Sequence, residues 1–487
     1  MGQFPPLLER LRPLLAHSEV YLVGGAVRDA LLGRPIRDLD FALAGDAIRL
    51  ARTVADHLGL SFYILDAERG IGRVVAGDEE RMTLDFARFR GPDLAADLAG
   101  RDFTVNALAL PATATDLSEL IDPLGGRQDL ERRLLRATSD TAFRDDPVRV
   151  IRAVRLALQL GFTIESHTQA LLRAAAGLVG QPAPERSRDE LAHILAGPGV
   201  ALALRQLDEL GALAVLIPEI EALKGLAQPP PERQDVWGHT LVVLETLEAV
   251  LGALGLTDDG RRTTDNGRWA ILHPLHAHRR YLAEHLAVRL SAERPRRALL
   301  FLAALLHDVG KPQTRRVDKV LSDNHAQVGA ALAEVRLRAL RFSSDEVDWV
   351  RCIIAGHTRP AELVGLLPLS RRDIYRYYRA LGEAGGDVGL LALAQAVARW
   401  GATSQVERWQ PYVQVVATLL EHYFRRYTQT IAPAPLLTGD DLIRELGLQP
   451  GPVIGQVLEA LREAQAAGEV RSRSAALALA RRILNSS

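Results

Sequence analysis

The chain has 487 residues, 48% of them apolar and 24% charged, which is too long for one ordinary domain and too apolar for a disordered chain. Its single cysteine, Cys352, excludes a disulfide framework and any cysteine-built zinc site. The net charge of −1 hides a split, because residues 1–130 carry 14 Arg against 20 Asp and Glu, whereas the remainder carries 45 basic and 40 acidic residues. Lysine occurs only as Lys224, Lys311 and Lys319. Arginine suits planar contact with phosphates and base edges, but Ala, Leu and Arg are abundant together, as a GC-rich coding sequence produces. The arginine excess therefore defines no site by itself. The opening MGQFPPLLERLRPLL has proline and charge where a signal peptide needs an apolar run. The strongly apolar stretch from Ala298 to Leu306 is too short for a bilayer, and the expectation is a cytoplasmic protein with no membrane partner.

The first 130 residues predict a small mixed α/β unit. Segments of strand length lie at Val20–Val23, Leu39–Leu43, Phe62–Leu65, Arg73–Ala76 and Met82–Phe86, separated by glycine turns and by a helical stretch over Asp46–Leu58. From about Leu134 the apolar period becomes helical, and the run from Arg149 to Leu158 is strongly amphipathic. Breaks are expected at Gln228-Pro-Pro-Pro-Glu and Thr430-Ile-Ala-Pro-Ala-Pro. A polar loop over Gly255–Arg268 is expected to follow the helix that begins near His239.

The densest signal is VYLVGGAVRDALLGRPIRDLDFAL, residues 20–43. A strand ends in Gly24-Gly25 and a helix starts at once, so free N–H groups and a bare backbone are available to an anion. Arg28 adds a cation for a triphosphate within the first turn. The next strand carries Asp38 and Asp40, which point to one face roughly 6–7 Å apart at Cα. Such a pair suits Mg²⁺ held through hard oxygen ligands, and two metals there would serve phosphoryl transfer. Asp85, alternating with apolar neighbours in TLDFARFR, is the candidate third carboxylate. Asp-x-Asp or Gly-Gly alone is commonplace; the ordered combination on strand, turn, helix and strand is not.

This segment resembles the nucleotidyltransferase signature of the DNA polymerase β superfamily, and more narrowly the bacterial class II tRNA nucleotidyltransferases and bacterial poly(A) polymerases. The resemblance continues through Arg101-Asp-Phe-Thr-Val-Asn-Ala-Leu, Asp122-Pro-Leu-Gly-Gly-Arg, Asp145-Asp146-Pro-Val-Arg149 and Glu185-Arg-Ser-Arg-Asp-Glu190. It covers most of the chain. It implies an α+β protein: a mixed α/β head over 1–130, a helical neck over 131–228, an HD-like helical module over 229–405 and a helical tail over 406–487. The implied reaction is Mg²⁺-dependent transfer of CMP, and of AMP in some members, from CTP or ATP to the 3′ end of tRNA. Arg101, Asp102 and Asn106 match the motif for ribose and nucleotide, and Asp145, Asp146, Arg149, Arg152 and Arg155 fall on the nucleotide-selecting segment.

That segment is physically sensible. If Asp145 to Arg155 is one helix, Asp145 and Asp146 share a face with Arg149. A carboxylate accepts from an exocyclic amino group while guanidinium donates to the adjoining ring acceptor, so C and A are admitted over U and G. Two departures stand out. Gly100 occupies the place of the first of two paired arginines in the second motif. The stretch Arg88–Asp97 is also short where CCA-adding members carry a longer loop, and this shortening resembles the CC-adding branch.

Further along, His239, Leu-Leu-His307-Asp308-Val-Gly-Lys311-Pro, His325 and His357 resemble the metal-binding set of the HD superfamily. They imply a possible second site for a transition metal, although Gln395 stands where a late Asp normally closes the set. Lys311 reads equally as a phosphate partner or a solvated loop lysine. His273, His276 and His278 are expected in a surface loop, and Tyr375, Tyr377 and Tyr378 in the packed face of a helix. Poly(A) polymerase, an HD-type phosphohydrolase with an inactive head, and a non-catalytic RNA-binding protein remain as rival readings.

Overall fold

The computed structural model describes residues 4–77, 82–230, 234–256, 269–291, 294–314, 324–401 and 405–485. The chain forms two compact units, one of residues 1–182 with 210–212, the other of residues 183–209 with 213–487.

The first unit opens with helix α1 (Pro6–Leu15), then β1 (Val20–Val23), α2 (Gly25–Leu31), β2 (Asp38–Leu43), α3 (Ala47–Leu58), β3 (Ser61–Asp66), β4 (Ile71–Ala76), β5 (Met82–Arg88), α4 (Leu94–Ala99) and β6 (Ala109–Pro111). All five strands expected from the sequence are present. The sixth, β6, is three residues long and too short to announce itself by alternation. The strands form one sheet in the order β3-β4-β5-β2-β1-β6. The β2–β5 pair is parallel and the other neighbours are antiparallel. Asp46 caps α3 by accepting from the Arg49 N–H, which satisfies one orphan donor of its first turn.

Alternation along β2 divides the sheet's two faces. Leu39 and Phe41 are buried on one side, where Phe41 stacks on its register partner Phe86 at 4.7 Å between ring centroids. Each such buried ring contributes about 1.5–3 kcal/mol. Asp38 and Asp40 therefore point to the opposite face.

Helices α5 (Gly126–Arg132), α6 (Ala142–Asp145) and α7 (Val148–Leu160) follow. The single helix expected from Asp145 to Arg155 does not form. Asp146 is extended, with φ −146° and ψ 90°, and Pro147 caps the start of α7. The physical reason is that proline disfavours α conformation in the residue before it. Among the described residues, two short strand pairs lie outside the head sheet, Leu134–Leu135 with Thr163–Ile164 and Arg289–Ser291 with Arg294–Pro295.

The second unit is predominantly helical. Its longest apolar helix, Val236–Ala253, is long and apolar enough to cross a membrane by length and composition, a segment longer than the Ala298–Leu306 run. Ten of its residues are buried within the unit, and it packs on the helices Arg296–Leu306 and Gly385–Trp400. Residues 257–268 of the expected polar loop and residues 231–232 of the first proline break lie outside the described residues. HPLHAH is at the surface in part: His273 and His276 are exposed as expected, on a short helix His273–His276 rather than a loop, whereas His278 is buried with its ring stacked near Phe424. Leu275 within the segment and Leu272 and Leu282 on either side, all fully buried, anchor it so that His278 turns inward. Tyr375, Tyr377 and Tyr378 are packed as expected, and the buried hydroxyls of Tyr377 and Tyr378 donate to the carbonyls of Gly385 and Leu419. The second proline break separates the helix Val406–Arg425 from a terminal cluster built on Leu437, Leu442, Val457 and Leu461.

A polar knot ties four helical segments of this unit together. Asp387, fully buried, accepts from Trp349 Nε1 at 2.8 Å and lies 3.0 Å from His285 Nε2. The Arg296 guanidinium reaches His285 Nδ1 at 3.1 Å and lies over the Trp349 ring at 4.1 Å. Because Arg296 can only donate, His285 accepts at Nδ1 and carries its proton on Nε2, directed at Asp387.

Candidate functional site

The first site grows from the turn between β1 and α2. Gly24 has φ +74°, and a Cβ built there would fall 2.9 Å from an Arg101 Nη1 atom and 3.8 Å from Asp40 Oδ2. Only glycine permits both the turn and the close approach of these two side chains. Arg101 is held from behind by the buried Asp97, whose Oδ2 accepts from Nη2 at 2.9 Å.

Asp40 stands in register with Asp85 across the parallel β2–β5 pair, and Asp38 with Thr83. The Thr83 hydroxyl donates to Asp38. Asp40 is pushed up to about 6, first by burial and then by repulsion from Asp85, with Arg101 opposing and Asp38 adding to the rise. This concentration of negative charge on hard oxygen donors is what a divalent cation would relieve, so the donor set fits Mg²⁺. Asp85 is differently placed. Arg73 of β4 grips it with two hydrogen bonds, Nε and Nη2 each at 2.6 Å. The carboxylates with no arginine fork are Asp38 and Asp40.

Arg28 is buried and clamped. Nε and Nη2 donate to the two oxygens of Asp29, both at 2.9 Å, and Nη1 donates to Asn106 Oδ1 at 2.7 Å. Asn106 in turn donates to Asp102 Oδ1 at 3.0 Å, and Asp102 lies 3.7 Å from Arg152 Nε. Arg28, Asn106, Asp102 and Arg152 thus form one polar chain. Burial works against ionised Asp102, but Arg152, the Asn106 amide, Arg149 and the Phe103 N–H together hold it below the usual carboxylate range.

Arg149 remains close to Asp146, with 3.7 Å between Nε and Oδ2, although the helix breaks between them. Asp145 turns back to accept from the Thr141 hydroxyl at 2.7 Å. The Arg149 guanidinium donates to the carbonyls of Gly100 at 2.8 Å, Arg101 at 3.0 Å and Ala142 at 3.3 Å. Arg149 therefore also fixes the backbone of the second motif, and Gly100 contributes its carbonyl where an arginine side chain was missed. Arg155 lies on the exposed side of α7, donating to Gln159 at 3.0 Å. The short Arg88–Asp97 connector is closed on itself: Asp97 Oδ1 accepts from the Arg90 N–H, and Asp93 caps α4. Sequence reasoning did not find the roles of Arg73, Asp97 or Asp29; only Asp97, a buried acid on a helix, had a local signal, and Arg73 acquires its meaning from register with Asp85.

A second cluster lies in the helical unit, around a cavity of about 260 Å³ lined by His239, His307, Asp308, Lys311, His325, His357 and Gln395 among others. Among the described residues two groups of donors converge to within 4.8 Å, His239 with His307 and Asp308, and Asp308 with His325 and His357. His307 and His357 each donate from Nδ1 to a backbone carbonyl, of Ala304 at 2.8 Å and of Ile354 at 2.7 Å, which leaves the Nε2 lone pairs facing the cavity. The Nε2 atoms of His325 and His357 are 3.3 Å apart, roughly the separation of two nitrogens sharing a tetrahedral ion with bonds of about 2.0–2.1 Å. The donor set fits a metal. Gly310 explains the turn after His307-Asp308, because a Cβ there would fall 2.1 Å from the carbonyl of His325. Lys311 is not a solvated loop residue: it is buried, with Nζ 2.6 Å from Asp308 and 2.8 Å from Gln228.

A strand–glycine turn–helix facing paired carboxylates, followed in one chain by a His/Asp cavity, defines a nucleotidyltransferase head joined to an HD module. Residues 20–136 match the poly A polymerase head domain, residues 161–224 the probable RNA and SrmB-binding site of polymerase A, and residues 279–383 the HD domain. The chain is 34% identical to the CC-adding tRNA nucleotidyltransferase of Thermus thermophilus over 475 residues, 96% of this chain and 94% of that one. It is also 34% identical to the A-adding tRNA nucleotidyltransferase of Deinococcus radiodurans over 473 residues, 95% and 94% of the two chains. A solved structure of the Thermotoga maritima CCA-adding enzyme complexed with tRNA shares the fold at a TM-score of 0.58 and 20% identity, covering 100% of this chain and 96% of that one. The chain belongs to the tRNA nucleotidyltransferase family.

Proposed function

We propose that this protein is the CC-adding member of its family, transferring CMP from CTP to the 3′ end of tRNA. The observation that carries the transfer reading is the meeting of Asp38, Asp40, Arg101 and the Gly24 turn at one face of the sheet. Asp38 and Asp40 would hold Mg²⁺, which when bound polarises the attacking hydroxyl and neutralises charge on the departing pyrophosphate. The N–H groups at the start of α2 and the Arg101 guanidinium receive the triphosphate; Arg28, already clamped by Asp29 and Asn106, adds fixed positive charge behind them. Asp102 and Asn106 address the ribose. Asp145, Asp146 and Arg149 face the base, carboxylate toward the amino group and guanidinium toward the ring acceptor, with Arg152 and Arg155 continuing the basic stripe of α7. Burial and pairing keep these groups in place before the nucleotide arrives, so little reorganisation accompanies transfer.

The CC preference rests on the short, internally bonded Arg88–Asp97 connector. Its test is incubation of pure protein with tRNA lacking the terminal trinucleotide, with CTP alone, ATP alone, and both. The proposal expects two cytidines from CTP and nothing added by ATP to the CC product; efficient terminal A addition overturns it.

The convergence of His239, His307, Asp308, His325 and His357 favours a second role for the helical unit, holding a transition metal for phosphate-ester hydrolysis. Gln395 in the same cavity supplies a neutral oxygen where a carboxylate would add charge, which weakens the site. Elemental analysis of the purified protein is expected to find a transition metal that His307→Ala removes and Gln395→Asp retains at higher occupancy. Equal metal content in wild type and His307→Ala would refute this role.

A further inference from the structure

In-line phosphoryl transfer places the entering oxygen and the leaving pyrophosphate on opposite sides of the reacting phosphorus. Here the triphosphate side is the Gly24 turn, at the end of β1. The acceptor must then approach over the strands beyond Asp40, which are β5, β4 and β3 in that order. Register puts one residue of each strand in a single row on this face: Asp40 opposite Asp85, Asp85 opposite Arg73, and Arg73 opposite Tyr63. Adjacent strands are about 4.8 Å apart, so the row runs about 14 Å from Asp40 to Tyr63 at Cα.

The row changes character along its length. Asp40 is half-buried and charged, whereas Asp85 is neutralised by the two-point grip of Arg73. Tyr63 closes the row on the edge strand, 45% exposed, and its side chain is among the groups that stabilise the Arg73 guanidinium. An aromatic ring left in solvent beside a fixed guanidinium plane is a platform for a nucleobase, since every base offers a π-face regardless of sequence. Its sequence neighbours Ile64 and Leu65 are exposed as well, so this edge strand carries little packing over it.

We infer that Tyr63 is the stacking platform for one of the last two bases of the acceptor RNA, with Arg73 the positioning residue that holds both the Tyr63 ring and the Asp85 carboxylate in the row. The inference rests on the transferase reading above and adds to it the side from which the RNA arrives. It gives the two-point pairing of Arg73 with Asp85 a role in the same row.

The test uses the full-length protein and tRNA transcripts lacking the terminal trinucleotide, carrying 2-aminopurine at the last or the next-to-last position. Without nucleotide present, binding of wild type is expected to quench one of the two probes by stacking. Tyr63→Phe keeps the quench and Tyr63→Ala abolishes it. In transfer assays Tyr63→Ala raises KM for the RNA about tenfold or more while KM for CTP stays at the wild-type value; Arg73→Gln shows a smaller rise in the same parameter. Quenching of neither probe by wild type, or an unchanged quench and RNA KM in Tyr63→Ala, overturns the inference. Absence of transfer by wild type would instead overturn the transferase reading, and the binding arm would still report on Tyr63. Tyr63→Phe and a matching melting temperature for Tyr63→Ala separate loss of the ring from loss of the fold.

Discussion

Asp40→Asn is expected to abolish nucleotide addition, by about a thousandfold or more, while the protein folds and melts as the wild type does. Asp40 sits at the centre of the negative charge on this face of the sheet, flanked by Asp38 on its own strand and by Asp85 in register. Burial and these neighbours make its negative charge costly, as its rise to about 6 shows. A group maintained in that state against its surroundings is not there for stability: the folded head would gain from its neutralisation. Its loss removes a hard ligand from a cation that supplies several kcal/mol of transition-state charge stabilisation, and about 4 kcal/mol corresponds to the thousandfold effect. Rapid-quench measurement of single-turnover CMP transfer, paired with thermal melting, reads both halves. Transfer within tenfold of wild type would remove Asp40 from the chemistry.

Asp387→Ala is expected to destabilise the helical unit by about 2–6 kcal/mol, at about 1–3 kcal/mol for each of the two buried donors it leaves unpaired. Asp387 is fully buried and receives both Trp349 Nε1 and His285 Nε2. Removing its carboxylate strands two donors on separate helices. The buried Arg296 keeps its partner Glu383 but loses a His285 ring whose tautomer Asp387 fixes. Asp387→Asn retains an oxygen for Trp349 but turns an amide donor toward His285 or away from it, and is expected to cost less. For a unit of this size the alanine variant lowers the melting temperature by roughly 10 °C. Calorimetry or far-UV circular dichroism checks the size of the shift; a change under 2 °C would show that the knot does not hold these helices together.

Much of the head was legible because it obeys short-range rules. Strands of four to seven residues with alternating burial, glycine turns and an Asp-capped helix all declare themselves within a few positions, and the paired carboxylates follow from strand period alone. The HD set was legible as residue types, but its convergence depends on helices far apart in sequence. Arg73 and Tyr63 were not legible, because their meaning lies in register across β3, β4 and β5 rather than in any local motif. The break at Asp146 had its signal in Pro147, which the amphipathic pattern of α7 outweighed. The surface reading of His278 and the solvated alternative for Lys311 failed for one common reason. A polar residue near loop signals reads as solvated until the partners that bury it, Phe424 for the first and Asp308 with Gln228 for the second, are known.

The most direct measurement is the intact mass of a tRNA transcript lacking its terminal trinucleotide, taken after incubation with this protein, Mg²⁺, CTP and ATP together. A gain of two cytidylate residues is the predicted result. An unextended transcript would contradict the assignment of the Asp38–Asp40 face as a nucleotidyl-transfer site.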